Sequence, residues 1–528
     1  VLDYRPGSDE RRLIKANLQK LRKTSIEIPL IIGGQPVKTG KLGRCTIPHD
    51  HGHQLAVFHQ AGEKEVADAI EAARTAADSW AAMAWEDRLA IFLRAADLIA
   101  GPRRMRLNAA TMLGQGKNVI QAEIDAACET VDFLRFNAFY VTQIYQQQPL
   151  SGPGEWNQLE YRPLEGFVFA VTPFNFTAIG GNLPSAPAML GNTVLWKPAS
   201  SAVYSSWMLM EIFMAAGLPP GVINFIPGPG AQVGDPVLAS PHLAGIHFTG
   251  STAVFQEMWK RVGSHISRYR TYPRIVGETG GKDFVFAHAS ADPHAVVAAL
   301  IRGAFEYQGQ KCSAASRVYL PSSLWPEIKA KLLAEMVTLK VGSPEDFTHF
   351  VNAVIDRAAV DTITGYIDFA HEHASAEIIA GGGSDASVGY FIDPTVILTS
   401  DPHFKTMQEE IFGPVLTIYV YKDNDFETTL ELCDQTSPYA LTGAIFARDR
   451  AAVVAARQRL VNAAGNFYIN DKPTGSVVGR QPFGGARASG TNDKAGSIFN
   501  LNRWISPRTV KENFVPPSNY RYPFLEAD

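Results

Sequence analysis

The chain has 528 residues, enough for two or three domains with large buried cores. Hydrophobic residues make up 46% and charged residues 19%, which excludes a disordered chain. Lys and Arg number 48 against 52 Asp and Glu, a net charge of −4, so bulk electrostatics argue against nucleic acid or an anionic membrane surface as partner.

The most basic stretch, Arg11, Arg12, Lys15, Lys20, Arg22 and Lys23, sits beside Asp9 and Glu10 and reads as a solvated surface helix. His51 and His53 beside Asp50 have no third ligand at metal-binding spacing and read as solvated loop histidines. Over residues 63–80, Val66, Ile70, Ala73, Ala77 and Trp80 recur at steps of four and three, predicting an amphipathic helix. Helical patterning runs on to about residue 145 and breaks at Ser151-Gly152-Pro153-Gly154.

Then the rhythm changes. Phe167–Thr172, Thr193–Trp196, Val222–Ile226 and Gly245–Phe248 are short apolar runs separated by helix-length segments such as 202–217. Strand and helix in alternation at this spacing predict a parallel sheet covered by helices. The G-x-G-x-x-G fingerprint is absent. Gly228-Pro229-Gly230 with Gly234 comes near it, but at the wrong spacing, so a nucleotide here binds in a non-standard way. A second α/β segment is expected from about Phe284 to Ile469, and an extended strand over 503–511. No apolar run approaches the roughly 18 residues that a bilayer requires.

Four cysteines, Cys45, Cys128, Cys312 and Cys433, lie far apart and form no disulfide framework. Gln308-Gly309-Gln310-Lys311-Cys312-Ser313 puts one of them in a small, polar, Gly-containing setting, unlike the apolar surroundings usual for an inert structural thiol. Glu278 lies beside the Gly280-Gly281 pair and reads alone as a turn residue or ion-pair partner. Asn175, after the first strand of the α/β rhythm, reads alone as a turn former.

Together these residues resemble the aldehyde dehydrogenase superfamily over essentially the whole chain. The pieces fall in that family's order: Thr172–Phe176, Trp196-Lys197-Pro198, Phe248-Thr249-Gly250-Ser251, Glu278–Lys282, Gly309–Cys312 and Glu410-Ile411-Phe412-Gly413-Pro414. The resemblance implies an α/β fold with a Rossmann-type NAD-binding domain (1–148 and 167–284), an α/β catalytic domain (285–479) and a small β oligomerisation flap (149–166 and 498–528). It implies Cys312 as nucleophile, Asn175 and the Cys312 N–H as oxyanion donors, and Glu278 as the base that activates water. For NAD it implies Thr172, Lys197, Gly250, Ser251, Glu410 and Phe412. Ser200 stands where NAD-selective relatives often carry Glu, which leaves NADP unopposed.

Within the superfamily the chain most resembles the branch that oxidises glutamate γ-semialdehyde, the open form of Δ1-pyrroline-5-carboxylate, in proline catabolism. The resemblance rests on Gly114-Gln115-Gly116-Lys117, 174–182, 305–314 and 465–492. It implies Gly475, Ser476 and Ser313 on the substrate carboxylate, Phe176 and Phe483 around its stem, and Glu129 near its ammonium. For Glu129 an exposed helix carboxylate is an equal reading. No metal, nucleic-acid or membrane partner is implied, and a homodimer or higher oligomer is. Another semialdehyde dehydrogenase, such as one for succinic semialdehyde, and an inactive binding scaffold are the competing readings. Eukaryotic relatives place the enzyme in the mitochondrial matrix and bacterial ones in the cytoplasm; an opening Val1 is compatible with a removed leader.

Overall fold

The computed structural model describes residues 1–528. Its frame is two seven-stranded sheets. The first runs in the order Arg274–Glu278, Leu243–Thr249, Phe167–Thr172, Thr193–Pro198, Ile223–Phe225, with Leu30–Ile32 and Gln35–Val37 added at one edge. The five strands from 167 onward are mutually parallel, and the two edge strands pair antiparallel.

Both faces of this sheet are covered, so its strands are continuous apolar runs rather than alternating ones. Phe167 and Phe169 enter one core, with Val66, Val233 and Phe255. Val168 and Ala170 enter the other, with Leu183, Leu209 and Phe213. The crossovers are the helices Thr177–Met189, Val203–Ala215 and Gly230–Ala239, and Thr252–Ser264 leads on to the fifth strand. Strand order reverses between Phe167–Thr172 and Leu243–Thr249: the chain moves outward from the first to the third strand on one side, then returns to lay the fourth on the other. Ligands of open α/β sheets bind at such a switch point, beyond the carboxyl ends of the strands. Here those ends carry Thr172-Pro173-Phe174-Asn175 and Gly250-Ser251.

The second sheet runs Ala376–Ala380, Thr395–Thr399, Val415–Tyr421, Ala315–Pro321, Asp283–Ala287, Thr442–Phe446, Asn466–Ile469. All its pairs are parallel except the first. The chain passes from one sheet to the other through only four residues, Thr279-Gly280-Gly281-Lys282. Apart from both sheets, Glu155–Pro163 and Ile505–Asn513 form a two-stranded antiparallel ribbon paired over nine positions. Trp156 on this ribbon and Leu150 just before it are exposed. No helix is long and apolar enough to cross a membrane.

One expectation for the N-terminal region needs correction. The basic segment forms the expected surface helix, Asp9–Arg22, with Arg12, Lys15 and Lys20 exposed; its other face buries Ile14, Leu18 and Leu21, and Arg22 pairs with Asp50 and with Glu345 of the second α/β half. His51 and His53, however, are not solvated loop residues. They lie on the strand Asp50–His59, where His51 Nε2 meets the Ala386 carbonyl at 3.1 Å and stacks on Tyr390, and His53 Nε2 meets the Arg22 carbonyl at 2.8 Å.

Candidate active site

Cys312 follows an unusual stretch of backbone. The helix Pro293–Phe305 ends, and Tyr307, Gln308 and Gly309 then take φ of 54°, 57° and 65° in succession before the strand Ala315–Pro321 begins. Two non-glycine residues in the left-handed region cost about 1–3 kcal/mol each and persist only where their surroundings hold them. Gln308 supplies that hold. Its amide nitrogen donates to the Gly116 and Ala353 carbonyls at 3.0 and 2.8 Å, and its amide oxygen accepts from the Asn352 N–H at 2.9 Å. Gln310 accepts from the Ile355 N–H at 2.8 Å. Two glycines are fixed by close approach: a Cβ on Gly281 would collide with the Cys312 carbonyl, and one on Gly309 with the Gly413 carbonyl. Of the glycine pair beside Glu278, Gly281 is therefore a packing requirement of the cysteine loop, while Gly280 makes room for the Glu410 carboxylate.

Glu278, the last residue of its strand, brings Oε1 to 3.0 Å from Cys312 Sγ. Burial raises the Glu278 carboxyl to about 7. Burial and this facing carboxylate push the Cys312 thiol well above its usual value. The thiol is thus protonated at rest and donates to a carboxylate whose proton affinity suits general-base work near neutrality. Asn175 is buried and donates from Nδ2 to the Gln310 carbonyl at 3.0 Å, which leaves its second amide hydrogen free. The Cys312 N–H makes no hydrogen bond within the chain.

Two cavities meet at Cys312. The first, about 810 Å³, lies at the switch point of the first sheet and is lined by all six residues expected to hold a dinucleotide, Thr172, Lys197, Gly250, Ser251, Glu410 and Phe412. Thr172 has its hydroxyl occupied by Trp196 Nε1 at 3.0 Å. Lys197 is buried with only the Pro198 carbonyl near its ammonium, at 3.3 Å, and desolvation lowers it to about 8. Such a lysine fits a neutral hydroxyl-rich ligand better than an ion-pair role. Ser251 caps the helix Thr252–Ser264, and Gly230 and Gly234 at the start of another helix also border the cavity. Two helix N-termini therefore offer N–H groups to an anion, which accounts for the missing glycine fingerprint. Glu410 accepts from the Gly281 N–H at 2.8 Å and is raised to about 7 by burial. Phe412, at φ 60°, meets Phe174 edge-on with centroids 5.8 Å apart.

The second cavity, about 410 Å³, lies on the other side of the sulfur and is lined by Phe176, Ser313, Gly475, Ser476, Phe483 and Glu129. Ser313 Oγ lies 2.8 Å from Thr474 Oγ1, tying the 474–476 turn to the residue next to Cys312. Glu129 is not an exposed helix carboxylate. It ends a π-helical stretch, Glu123–Glu129, faces this pocket, and is raised by burial and by the neighbouring Asp125.

The sequence reading missed the buried pair beneath this pocket. Lys117 Nζ lies 2.7 Å from Asp125 Oδ2 and sits over the rings of Phe176 and Tyr307 at 4.1 and 4.6 Å. Asp125 in turn accepts from the Thr177 and Ala178 N–H groups at 3.0 and 2.9 Å, so it caps the helix that begins just after Asn175 and Phe176. One ion pair thus joins the Asn175 loop to the turn before Cys312. Nothing local marks Asp125 for this; Gly114-Gln115-Gly116-Lys117 only hinted at Lys117. No cluster of three His, Cys, Asp or Glu side chains is placed to hold a metal.

The aldehyde dehydrogenase family model matches residues 38–510. The chain belongs to the aldehyde dehydrogenase family. Among family members, the mitochondrial Δ1-pyrroline-5-carboxylate dehydrogenase of Dictyostelium discoideum is 55% identical, over 99% of this chain and 95% of its own. The Δ1-pyrroline-5-carboxylate dehydrogenase of Agaricus bisporus is 53% identical over 99% and 96%. The crystal structure of the Δ-pyrroline-5-carboxylate dehydrogenase of Mycobacterium tuberculosis bound with NAD superposes with a TM-score of 0.96 at 52% identity, covering 100% of this chain and 97% of that one.

Proposed function

We propose that the protein oxidises glutamate γ-semialdehyde to glutamate with NAD, the aldehyde bonding to Cys312. The observation that carries this reading is the meeting of two cavities at one thiol, one suited to a dinucleotide and one to a small amino-acid aldehyde. The full-length likeness to Δ1-pyrroline-5-carboxylate dehydrogenases supports the choice of substrate.

Glu278 takes the thiol proton, and the Cys312 thiolate adds to the aldehyde carbon to give a thiohemiacetal. The free Asn175 N–H and the Cys312 N–H hold the new oxyanion; a donor of this kind contributes roughly 3–4 kcal/mol to lowering the barrier. When bound, NAD accepts the hydride that leaves this carbon, and a thioester remains on Cys312. Glu278 releases the thiol's proton to solvent and then takes a proton from water; hydroxide adds to the thioester carbon, the tetrahedral oxyanion collapses with the Cys312 thiolate as leaving group, and Glu278 returns its proton to the sulfur. Lys197 and Glu410 suit the two ribose hydroxyl pairs, and the helix starts at Gly230 and Ser251 suit the pyrophosphate. In the second pocket Gly475, Ser476 and Ser313 take the α-carboxylate, Phe176 and Phe483 the stem, and Glu129 the ammonium.

The 1–148 and 167–284 segments serve as the NAD-binding domain and 285–479 as the catalytic domain. The two-stranded ribbon and the tail beyond 498 serve as the flap of a homodimer or higher oligomer; an isolated two-stranded ribbon is marginal alone, and this one exposes Trp156. The mitochondrial matrix is the proposed location, following the relative from Dictyostelium discoideum. The test is NADH formation from pyrroline-5-carboxylate, succinic semialdehyde and propanal side by side. The reading requires the highest kcat/KM with pyrroline-5-carboxylate, and a higher value with succinic semialdehyde would contradict it.

A further inference from the structure

Lys472 carries no role in the chemistry above, yet it stands at the junction of the pocket's parts. It lies in Asp471-Lys472-Pro473-Thr474-Gly475-Ser476, which follows the strand Asn466–Ile469. Its ammonium donates to the Thr474 carbonyl at 2.9 Å. It also lies 2.7 Å from where a Cβ on Gly475 would project, and Gly475 has φ +93°. A single cation therefore closes the 474–476 turn from behind, while the Thr474 hydroxyl on the same turn reaches Ser313.

The charges around it are unbalanced. Arg302, Lys311, Lys472 and Glu306 all border the same cavity. Glu306 is shared between Arg302 Nε at 2.9 Å and Lys311 Nζ at 3.2 Å. That leaves the half-buried Lys472 ammonium with a carbonyl oxygen and no carboxylate within ion-pair distance. Three cations against one carboxylate make the surroundings of Lys472 locally positive, while Asp125, Glu129, Asp132, Glu278 and Asp493 line other parts of the same cavity. A cation left without a carboxylate partner favours occupancy by a ligand group of the opposite sign placed beside it.

We propose that Lys472 is a specificity-determining residue for aldehydes that carry a carboxylate at the far end, holding the 474–476 turn in place and presenting an uncompensated positive charge to that group. The proposal rests on reading this cavity as the semialdehyde site. It predicts discrimination rather than chemistry: Lys472 touches neither Cys312 nor the reacting carbon.

The full-length protein is assayed with NAD and pyrroline-5-carboxylate, succinic semialdehyde or propanal, as wild type and as Lys472→Met, Lys472→Gln and Lys472→Arg. The expected result for Lys472→Met is a KM for pyrroline-5-carboxylate raised about tenfold with a much smaller change in kcat. Its kcat/KM ratio for pyrroline-5-carboxylate over propanal falls by about the same factor. Lys472→Gln, which keeps a donor but loses the charge, falls with it, and Lys472→Arg keeps most of the ratio. Added KCl lowers kcat/KM for the carboxylated aldehydes more steeply in the wild type than in Lys472→Gln.

A turn that merely collapses lowers both aldehydes in step and preserves the ratio, which would overturn the proposal. So would a Lys472→Gln protein with the wild-type ratio and salt slope. Should Lys472→Met fail to fold, the Gln and Arg variants decide by the same criteria. If the wild type oxidises succinic semialdehyde but rejects pyrroline-5-carboxylate, the substrate reading fails while the Lys472 ratio is still read on succinic semialdehyde against propanal. A wild type that favours neither carboxylated aldehyde over propanal contradicts both.

Discussion

On the cleft side of Cys312 the groups aimed at a ligand are mostly backbone and apolar wall: two helix starts at Gly230 and Ser251, the Phe174 and Phe412 rings, and the buried side chains Lys197 and Glu410, with Arg261 paired to Asp235 and Glu257 at the partly exposed edge. On the pocket side they are charged groups crowded together, with Asp125, Glu129, Glu278, Lys117, Lys311 and Lys472 around a cavity half the size. Backbone dipoles neither titrate nor need a partner, so the cleft tolerates the loss of one side chain. Buried charges do need partners, and the pocket is held by bonds that reach across the chain, such as Asp125 to Thr177 and Ser313 to Thr474. The comparison teaches that substitutions at the sulfur and among the pocket's mutually bonded buried charges should be costly, and single substitutions among the cleft's ligand-facing groups mild.

The largest effect expected is at Glu278. Glu278→Gln should lower steady-state turnover by roughly 10²–10⁴-fold, the range of a general base. In the wild type, turnover should rise with pH through about 7, since the carboxyl is raised to that value and its basic form accumulates above it. Stopped-flow and steady-state pH profiles check this; a Gln variant with the same rising limb would contradict the assignment. Asn175→Ala should follow, lowering kcat by roughly 10²–10³-fold through the lost oxyanion donor while thermal unfolding moves little. The smallest effect is expected in the cleft. Lys197→Met should raise KM for NAD about tenfold, or about 1.4 kcal/mol, just under the roughly 1.5–3 kcal/mol of one charged hydrogen bond, and leave the KM for the aldehyde in place. Titration of NAD by intrinsic fluorescence reads it directly. A collapse of activity at Lys197 as deep as that at Glu278 would break the contrast between the two sides.

The same contrast governs what the sequence made legible. The runs at 167–172, 193–196, 222–226 and 245–248 lie within two residues of observed strands at each end, because parallel strands buried on both faces are written as contiguous apolar residues. The helix predicted over 63–80 spans Glu63–Ala82. The motif residues on either side of Cys312 were named from the chain, and they line the two cavities. The brace under the pocket was not legible. Lys117, Asp125 and Thr177 meet only through the fold, and Asp125 lies on a π-helical stretch that periodicity at 3.6 residues cannot show. His51 and His53 were misread for the same reason: His51 meets Ala386 and Tyr390, some 300 residues away, and His53 meets the carbonyl of Arg22, itself tied to the distant Glu345. Glu129 read equally well as exposed until the fold placed it against the pocket.

The account stands most directly on the thioester. Glu278→Gln protein mixed with NAD and pyrroline-5-carboxylate, quenched in acid and digested, is read by mass spectrometry of the four cysteine peptides. The account predicts that NADH release, slowed by loss of the base that takes the thiol proton, stops at about one per active site and leaves a glutamyl adduct on the peptide that holds Cys312, discharged by hydroxylamine. NADH release with no adduct on Cys312, or with the adduct on Cys45, Cys128 or Cys433, would contradict it.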